Sequence, residues 1–264
     1  MEPFDREHPY HPYTRMKEGS DTLVIFIHGF FGSPRQFWGL SSLAWEKGYS
    51  VASLLLPGHG GSGREFNRTP GRQWVYAAME QIRRYAASYP RVLLIGHSMG
   101  GLLALHASRF PWSHTAGVFL LNTPMQIRIT PRGTANSLGA IFGPQKYLGP
   151  VAKRYREVSS VSRMAPPRYL GMLPRVADLQ KLIGRVQEEL PQVQVPVTIL
   201  QSMRDETVHW KSAQILAAGL KNTSCRVVWL RDSWHSYCPP ADKEQVRREF
   251  ADFLEHAGQK EKTL

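Results

Sequence analysis

Short, β-rich apolar runs alternate with helical patterns along most of this chain. That alternation restricts the fold more than any other feature. The runs fall at 23–27, 51–56, 92–95, 118–121, 197–200 and 226–230. They are continuous and do not alternate with polar residues, as expected of strands buried on both faces. Between them lie helical stretches. One opens at Ser33-Pro34, with Pro34 suited to a first helical position, and runs to Lys47, where Gly48 stops it. Another, about 72–89, places Trp74, Ala78, Ile82 and Tyr85 at helical spacing. Further helices are expected over 98–109, 208–220 and 241–256, the last presenting Val246, Phe250, Phe253, Leu254 and Ala257 on one face. Strand and helix in alternation predict an α/β fold, a mainly parallel twisted sheet with helices on both faces and right-handed crossovers.

The pattern breaks between Thr123 and about Val195. Gly and Pro become frequent, strand-like runs disappear, and the best helix is 176–190, with Val176, Leu179, Ile183, Val186 and Leu190 on one stripe. Structureless loops of this length are uncommon. The expected organisation is therefore a core formed by 1–123 and 195–264, with 124–194 inserted as a cap. The tail from Gln259 to Leu264 is expected to fray.

Gly96-His97-Ser98-Met99-Gly100 matches G-x-S-x-G directly after the run 92–95 and at the start of a helix. That strand–turn–helix setting is the one a nucleophile elbow needs. A tight, strained turn holds the serine out at the carboxyl end of the sheet. Gly96 and Gly100 leave room where a Cβ would collide with a neighbouring strand or helix. The helix N-terminus directs N–H groups at developing negative charge.

A serine hydroxyl needs a base. Of ten histidines, His235 follows the last strand by a few residues, so its loop opens on the same sheet edge as Ser98. His97 flanks the serine, but its side chain is expected to point away and to bond structurally. His28 is expected to brace the loop after the first strand. The base needs an acid to fix its tautomer. Asp205, shortly after the run 197–200, gives the chain order Ser…Asp…His and is favoured over Asp232, which lies too close in sequence to reach His235 Nδ1 easily, and over Asp178 in the cap. Oxyanion donors are expected from the backbone N–H of Met99 and from that of Phe30, in the loop 28–32.

Bulk properties narrow the field further. The chain has 264 residues, enough for one large α/β domain with an insertion. Its two cysteines, Cys225 and Cys238, form no disulfide framework, and no His/Cys cluster has zinc-like spacing. The N-terminus carries no signal-peptide pattern and no window is apolar enough to span a bilayer, which makes the cytoplasm the default location. The net charge is +12. No nucleic-acid motif accompanies it, so no nucleic-acid partner is expected. Peripheral contact with an anionic membrane surface is compatible with its sign.

These stretches together resemble the α/β-hydrolase superfamily, and most of all small bacterial carboxylesterases and monoacylglycerol lipases. The resemblance is carried by His28-Gly29-Phe30-Phe31-Gly32, Leu56-Pro57-Gly58-His59-Gly60, Gly96-His97-Ser98-Met99-Gly100-Gly101, Arg204-Asp205-Glu206-Thr207-Val208 and Trp234-His235-Ser236. Ser-Gly or Ser-Cys often precedes the histidine in such carboxylesterases, whereas Ser233-Trp234 does here. The segment before Leu23 is short, so the first strands of the full fold are expected to be reduced or absent. The resemblance implies hydrolysis of a small-molecule carboxylic ester through an acyl-Ser98 intermediate, with no cofactor or metal needed. It places Gly29 and Phe31, with Ile141 and Met172 of the cap, at the substrate. Phe142, Tyr147, Met164, Tyr169, Leu170 and Leu173 are further candidates for an acyl pocket or for the cap's own core. Thioesterase, amidase or C–C hydrolase chemistry would use the same triad, and a non-catalytic binding protein the same fold. A haloalkane dehalogenase would need a carboxylate at position 98.

Overall fold

A computed structural model describes residue 8 and residues 10–258; the 259–264 tail lies outside the described residues. The sheet has seven strands, β1 (Tyr13–Arg15), β2 (Thr22–Ile27), β3 (Ser50–Ser53), β4 (Arg91–His97), β5 (Thr115–Leu121), β6 (Val197–Ser202) and β7 (Cys225–Leu230), in the order β1-β3-β2-β4-β5-β6-β7. Strand β1 is antiparallel to β3 and every other pair is parallel. The expectation of reduced first strands is met by β1, three residues at the edge. Strand β4 lies at the centre, with Gly96 in register with Ile27 on one side and Leu120 on the other. Whatever follows β4 therefore sits mid-sheet, at the carboxyl edge.

Nine helices are found among the described residues: α1 (Trp38–Glu46, entered through a 3-10 turn at Pro34–Phe37), α2 (Gly63–Arg68), α3 (Gly71–Ala86), α4 (Met99–Ser108), α5 (Pro131–Phe142), α6 (Pro150–Val158), α7 (Leu173–Glu189), α8 (Lys211–Gly219) and α9 (Pro240–Gly258). They cover both faces of the sheet, and two buried apolar clusters mark the two sides. One joins Val24, Phe26 and Phe119 of the sheet to Phe37, Leu40 and Ala44 beside α1 and to Phe250, Phe253 and Leu254 of α9. The other joins Leu23, Ile25 and Ile27 of β2 to Trp74, Leu102, Leu103, Ile183, Val186 and Leu216.

Three local differences from the sequence reading have physical causes. The run 51–56 reads as strand throughout, yet β3 ends at Ser53. Leu54 still donates to Phe26, but the N–H of Leu56 turns to the imidazole Nε2 of His28, so a side chain replaces the ladder. Helix α2 occupies what reads as the end of a Gly-rich loop. A capping box nucleates it: Ser62 Oγ accepts from the Glu65 N–H at 3.2 Å, and Glu65 Oε2 accepts from the Ser62 N–H at 2.7 Å. Helices α5 and α6 start at Pro131 and Pro150. Pro in a first turn begins a helix because its missing N–H has no intrahelical acceptor there.

Helix α7 overlaps the helix expected at 176–190, but it belongs to the core's helical layer. It packs on α3 and α4, burying Leu179, Leu182, Ile183 and Val186. At its end Glu189 pairs with Arg109 at 3.0 Å and accepts from His106 Nδ1 at 2.7 Å. The segment between β5 and β6 leaves Leu138, Phe142, Tyr147 and Leu170, with Leu173 at the start of α7, largely exposed. No helix among the described residues is long and apolar enough to cross a membrane.

Candidate active site

Ser98 stands between β4 and α4 with φ 54° and ψ −123°, a positive-φ conformation that a side chain adopts only under constraint. The constraint is close packing. A Cβ on Gly96 would run into the backbone of Gly100 and Gly101, and one on Gly100 into the carbonyl of Ile27. The Ser98 N–H donates to Leu121, which ties the turn to β5. The serine is buried, with 5% of its surface exposed.

His235 and Asp205 come to this serine from the loops after β7 and β6. His235 Nε2 lies 3.1 Å from Ser98 Oγ, and His235 Nδ1 donates to Asp205 Oδ2 at 2.8 Å. Asp205 is almost fully buried, and its Oδ1 accepts from the N–H groups of Thr207 (2.8 Å) and Val208 (2.7 Å). The Arg128 guanidinium grips the Asp205 carbonyl from the segment between β5 and β6. A carboxylate so held keeps the imidazole proton on Nδ1, leaving Nε2 free to accept the serine hydroxyl. Burial pushes the His235 pKa down, but the charge and hydrogen bond of Asp205, aided by Glu206, outweigh it and leave the group above an ordinary histidine. Asp232 takes no part. It faces Arg204 at 2.8 Å on the surface. Asp178 accepts from the N–H of Gly71 and pairs with Arg175.

The other histidines near the site have structural bonds. His97 does not swing toward Ser98 Oγ; its Nε2 donates to the His235 carbonyl at 2.8 Å, and the two rings lie 4.9 Å apart. Burial, with His235 nearby, lowers the His97 pKa to about 3. His28 braces its loop as expected, with Nδ1 donating to Gly29 and Nε2 accepting from Leu56. His59 packs on Phe66 and on His28 and is lowered by burial to about 4.

Two side chains that touch His235 carry no role in the sequence reading. Asn122, at φ 48° just past β5, donates to the His235 carbonyl at 3.0 Å. Glu206, next to Asp205, accepts from the His235 N–H at 3.1 Å. A positive-φ Asn at a strand end leaves no pattern in sequence. Glu206 lies inside the Arg204–Val208 stretch, and only its adjacency to Asp205 marks it.

The loop 28–32 lies against the serine. A Cβ on Gly29 would come within 2.8 Å of Ser98 Cβ. Phe31 has φ 62°, and the Phe30 and Phe31 rings pack on Phe66 and on each other. Met99 opens α4, where first-turn N–H groups lack intrahelical acceptors. The segment between β5 and β6 is stitched to this loop: Ser33 Oγ donates to Val158, Ser160 Oγ donates to Gly32 at 2.6 Å, and the Ser160 N–H donates to Phe31. Of the expected cap residues, Met172 is buried in the apolar cluster that includes Phe66 and Leu179. Ile141 is half-buried at the end of α5, its carbonyl facing Arg163. Trp234 lies under the Arg132 guanidinium, 5.3 Å from the ring centroid. No cluster of three or more His, Cys, Asp or Glu among the described residues is placed to hold a metal ion.

A family model for the alpha/beta hydrolase family matches residues 24–252. The chain belongs to that family. This alpha/beta hydrolase is 26% identical, over 245 residues, to the thermostable monoacylglycerol lipase of Bacillus sp. (strain H-257), covering 91% of this chain and 94% of that one. In structure, the hydrolase superposes with a TM-score of 0.73 and 22% identity on a chain from the work on LipS and LipT, two metagenome-derived lipolytic enzymes, covering 94% of this chain and 98% of that one. It superposes on the Paleococcus ferrophilus monoacylglycerol lipase with a TM-score of 0.65 and 20% identity, covering 94% and 99%.

Proposed function

We propose that this protein is a carboxylic ester hydrolase working through an acyl-Ser98 intermediate, on short- to medium-chain or monoacylglycerol-type esters. The observation that carries the reading is the buried relay from Asp205 Oδ2 to His235 Nδ1 (2.8 Å) and from His235 Nε2 to Ser98 Oγ (3.1 Å). The family membership and the lipase relative are consistent with it.

In this mechanism His235 takes the Ser98 proton as the hydroxyl attacks the ester carbonyl. The N–H groups of Met99 and Phe30 receive the oxyanion. His235 then gives its proton to the departing alcohol, and water attacks acyl-Ser98 with His235 again as base. Gly29, which leaves no side chain against Ser98, gives the carbonyl access, and Phe31 is the neighbouring loop residue assigned to the substrate.

The segment 124–194 acts as the cap, with α7 as its anchor in the core layer. Ile141 and Met172 contribute its apolar lining. The exposed Phe142, Tyr147, Leu170 and Leu173 share the segment with the exposed Lys146, Arg163 and Arg168, a combination suited to the surface of an anionic lipid aggregate.

The test is a panel of p-nitrophenyl esters of increasing acyl length, with Ser98→Ala as control. The expected result is activity with an optimum at short to medium chains and a loss of at least about 1,000-fold in kcat for the variant. Equal turnover by parent and variant would refute the nucleophile.

A further inference from the structure

Glu206 is a buried carboxylate, 3% exposed, that makes no ion pair with Lys or Arg among the described residues. Burying a carboxylate without a cation costs several kcal/mol unless hydrogen bonds and a nearby positive charge offset it. Its hydrogen bonds are known. Oε1 accepts the phenol of Tyr155, and Oε2 accepts the backbone N–H of His235 at 3.1 Å. Tyr155 stands on α6, in the segment between β5 and β6. His235, whose N–H this carboxylate holds, supplies a positive charge beside it when the ring takes a proton.

We infer that Glu206 is a positioning residue: it fixes the backbone of His235, sets a second negative charge beside the imidazolium, and through Tyr155 makes the placement of α6 part of the general base's setting. The inference rests on the proposed role of His235, but its central claim concerns one side chain's titration and not turnover.

The surroundings leave Glu206 and Asp205 as the anionic partners. From β4, His97 faces His235 and is held neutral by burial, and Ser98 meets Nε2. From the loop after β6 come Asp205 and Glu206. From α6, Tyr155 bonds Glu206, while Arg154 acts on His97. From β5, Asn122 holds the carbonyl of His235 without charge. Burial pushes the Tyr155 phenol pKa up, and the Glu206 charge adds to that, so the phenol remains a donor. Arg128 is committed to the Asp205 carbonyl. Asp205 still supplies the main counter-charge, and Glu206 adds a second one on a separate atom path.

The experiment follows the His235 Cε1–H resonance by NMR titration in the parent, Glu206→Gln, Glu206→Asp and Tyr155→Phe, beside kcat/KM against pH. In Glu206→Gln the His235 midpoint is expected to fall by about one pH unit, the acidic limb of kcat/KM to fall with it, and kcat on the plateau to drop about tenfold. Tyr155→Phe keeps the charge, so its midpoint stays in place while kcat falls. Glu206→Asp, the variant to rely on if the Gln protein does not fold, keeps the midpoint near the parent value with a reduced kcat. An unmoved midpoint in folded Glu206→Gln, or a midpoint displaced equally in Glu206→Asp, overturns the inference. A failure of the esterase reading would show separately, as a parent that turns over no ester while its His235 titration still reports on Glu206.

Discussion

The side-chain amide of Asn122 donates to the backbone carbonyl of His235 at 3.0 Å, across 113 positions of the chain. The same side chain accepts the Ser202 N–H at 2.8 Å through Oδ1, so one residue joins the ends of β5 and β6 to the histidine loop. Its φ of 48° is a conformation Asn tolerates better than most residues.

Replacing Asn122 by Ala is expected to leave the Ser202 N–H buried without a partner. The expected cost is about 1–3 kcal/mol of stability, read as a lower urea midpoint. Because His97 still holds the His235 carbonyl, kcat should fall by less than in Ser98→Ala. A variant as stable and as active as the parent would show that the bond is idle.

Gly29→Ala places a methyl group 2.8 Å from Ser98 Cβ, closer than side-chain carbons pack. Either the serine or the loop 29–32 must move. A displacement of about 1 Å at a reacting group can cost about 100-fold. Steady-state kinetics on a p-nitrophenyl ester should show kcat/KM falling by one to two orders of magnitude, with thermal stability changing little by comparison.

The pH dependence of activity and that of stability are expected to differ. His235 sits above the ordinary histidine value of 6.5, and in the proposed role of general base it must be unprotonated to act. The acidic limb of kcat/KM should therefore have its midpoint above 6.5, and Asp205→Asn should move it down. For folding, His28 lies well below 6.5, His59 near 4 and His97 near 3. Each takes up a proton in the unfolded chain before it can in the folded one. Stability is thus greatest above about 6.5 on their account and declines as pH falls toward the folded values, by up to about 1.4 kcal/mol per unit for each group. His235 acts in the opposite sense: its raised value favours the folded state below 6.5 and loses that contribution as pH rises through the folded midpoint. Below about 6.5 the His235 contribution is already complete and adds no slope, so Tm should fall between about pH 6.5 and about 4; a flat profile would contradict the burial of these rings.

Glu189 joins α7 to α4 through Arg109 and His106. Glu189→Ala removes the carboxylate from a mostly buried guanidinium and should destabilise by about 3–5 kcal/mol. Glu189→Gln, which retains an acceptor, should lose less. The comparison is made by denaturant unfolding.

Vesicle flotation addresses the apolar residues exposed between β5 and β6. Binding is expected to anionic vesicles and to weaken as salt rises, since each Lys or Arg near such a surface contributes about 1 kcal/mol and screening removes it. Leu170→Ser with Phe142→Ser should reduce binding without altering hydrolysis of a soluble short-chain ester. Equal binding to neutral vesicles would remove charge from the explanation.

The sheet and its covering helices are legible because the six parallel strands are continuous apolar runs, and the elbow at Ser98 because a motif and its strand–turn–helix setting coincide. The positions of Asp205 and His235 follow from their places just beyond β6 and β7. What escapes is set by contacts distant in sequence. Strand β3 stops short of Leu56 because His28 supplies an acceptor for the Leu56 N–H. Helices α5 and α6 are hidden by the prolines that begin them, and α7 reads as part of the insertion because its stripe does not say which layer it meets. Tyr155, Glu206 and Asn122 converge on His235 from three elements, and no spacing along the chain encodes that convergence.

Strand β1 is only three residues long, yet it pairs with β3 and is pinned in place, with the Arg15 guanidinium stacked on Trp45 and the Lys17 N–H donating to Ser50. Without it, β3 would present a bare row of amides and carbonyls to any other chain. Tyr13–Arg15 thus work as a hem on the sheet: far from the chemistry, they cover β3 with an edge only three residues long, which offers a second chain little to pair with.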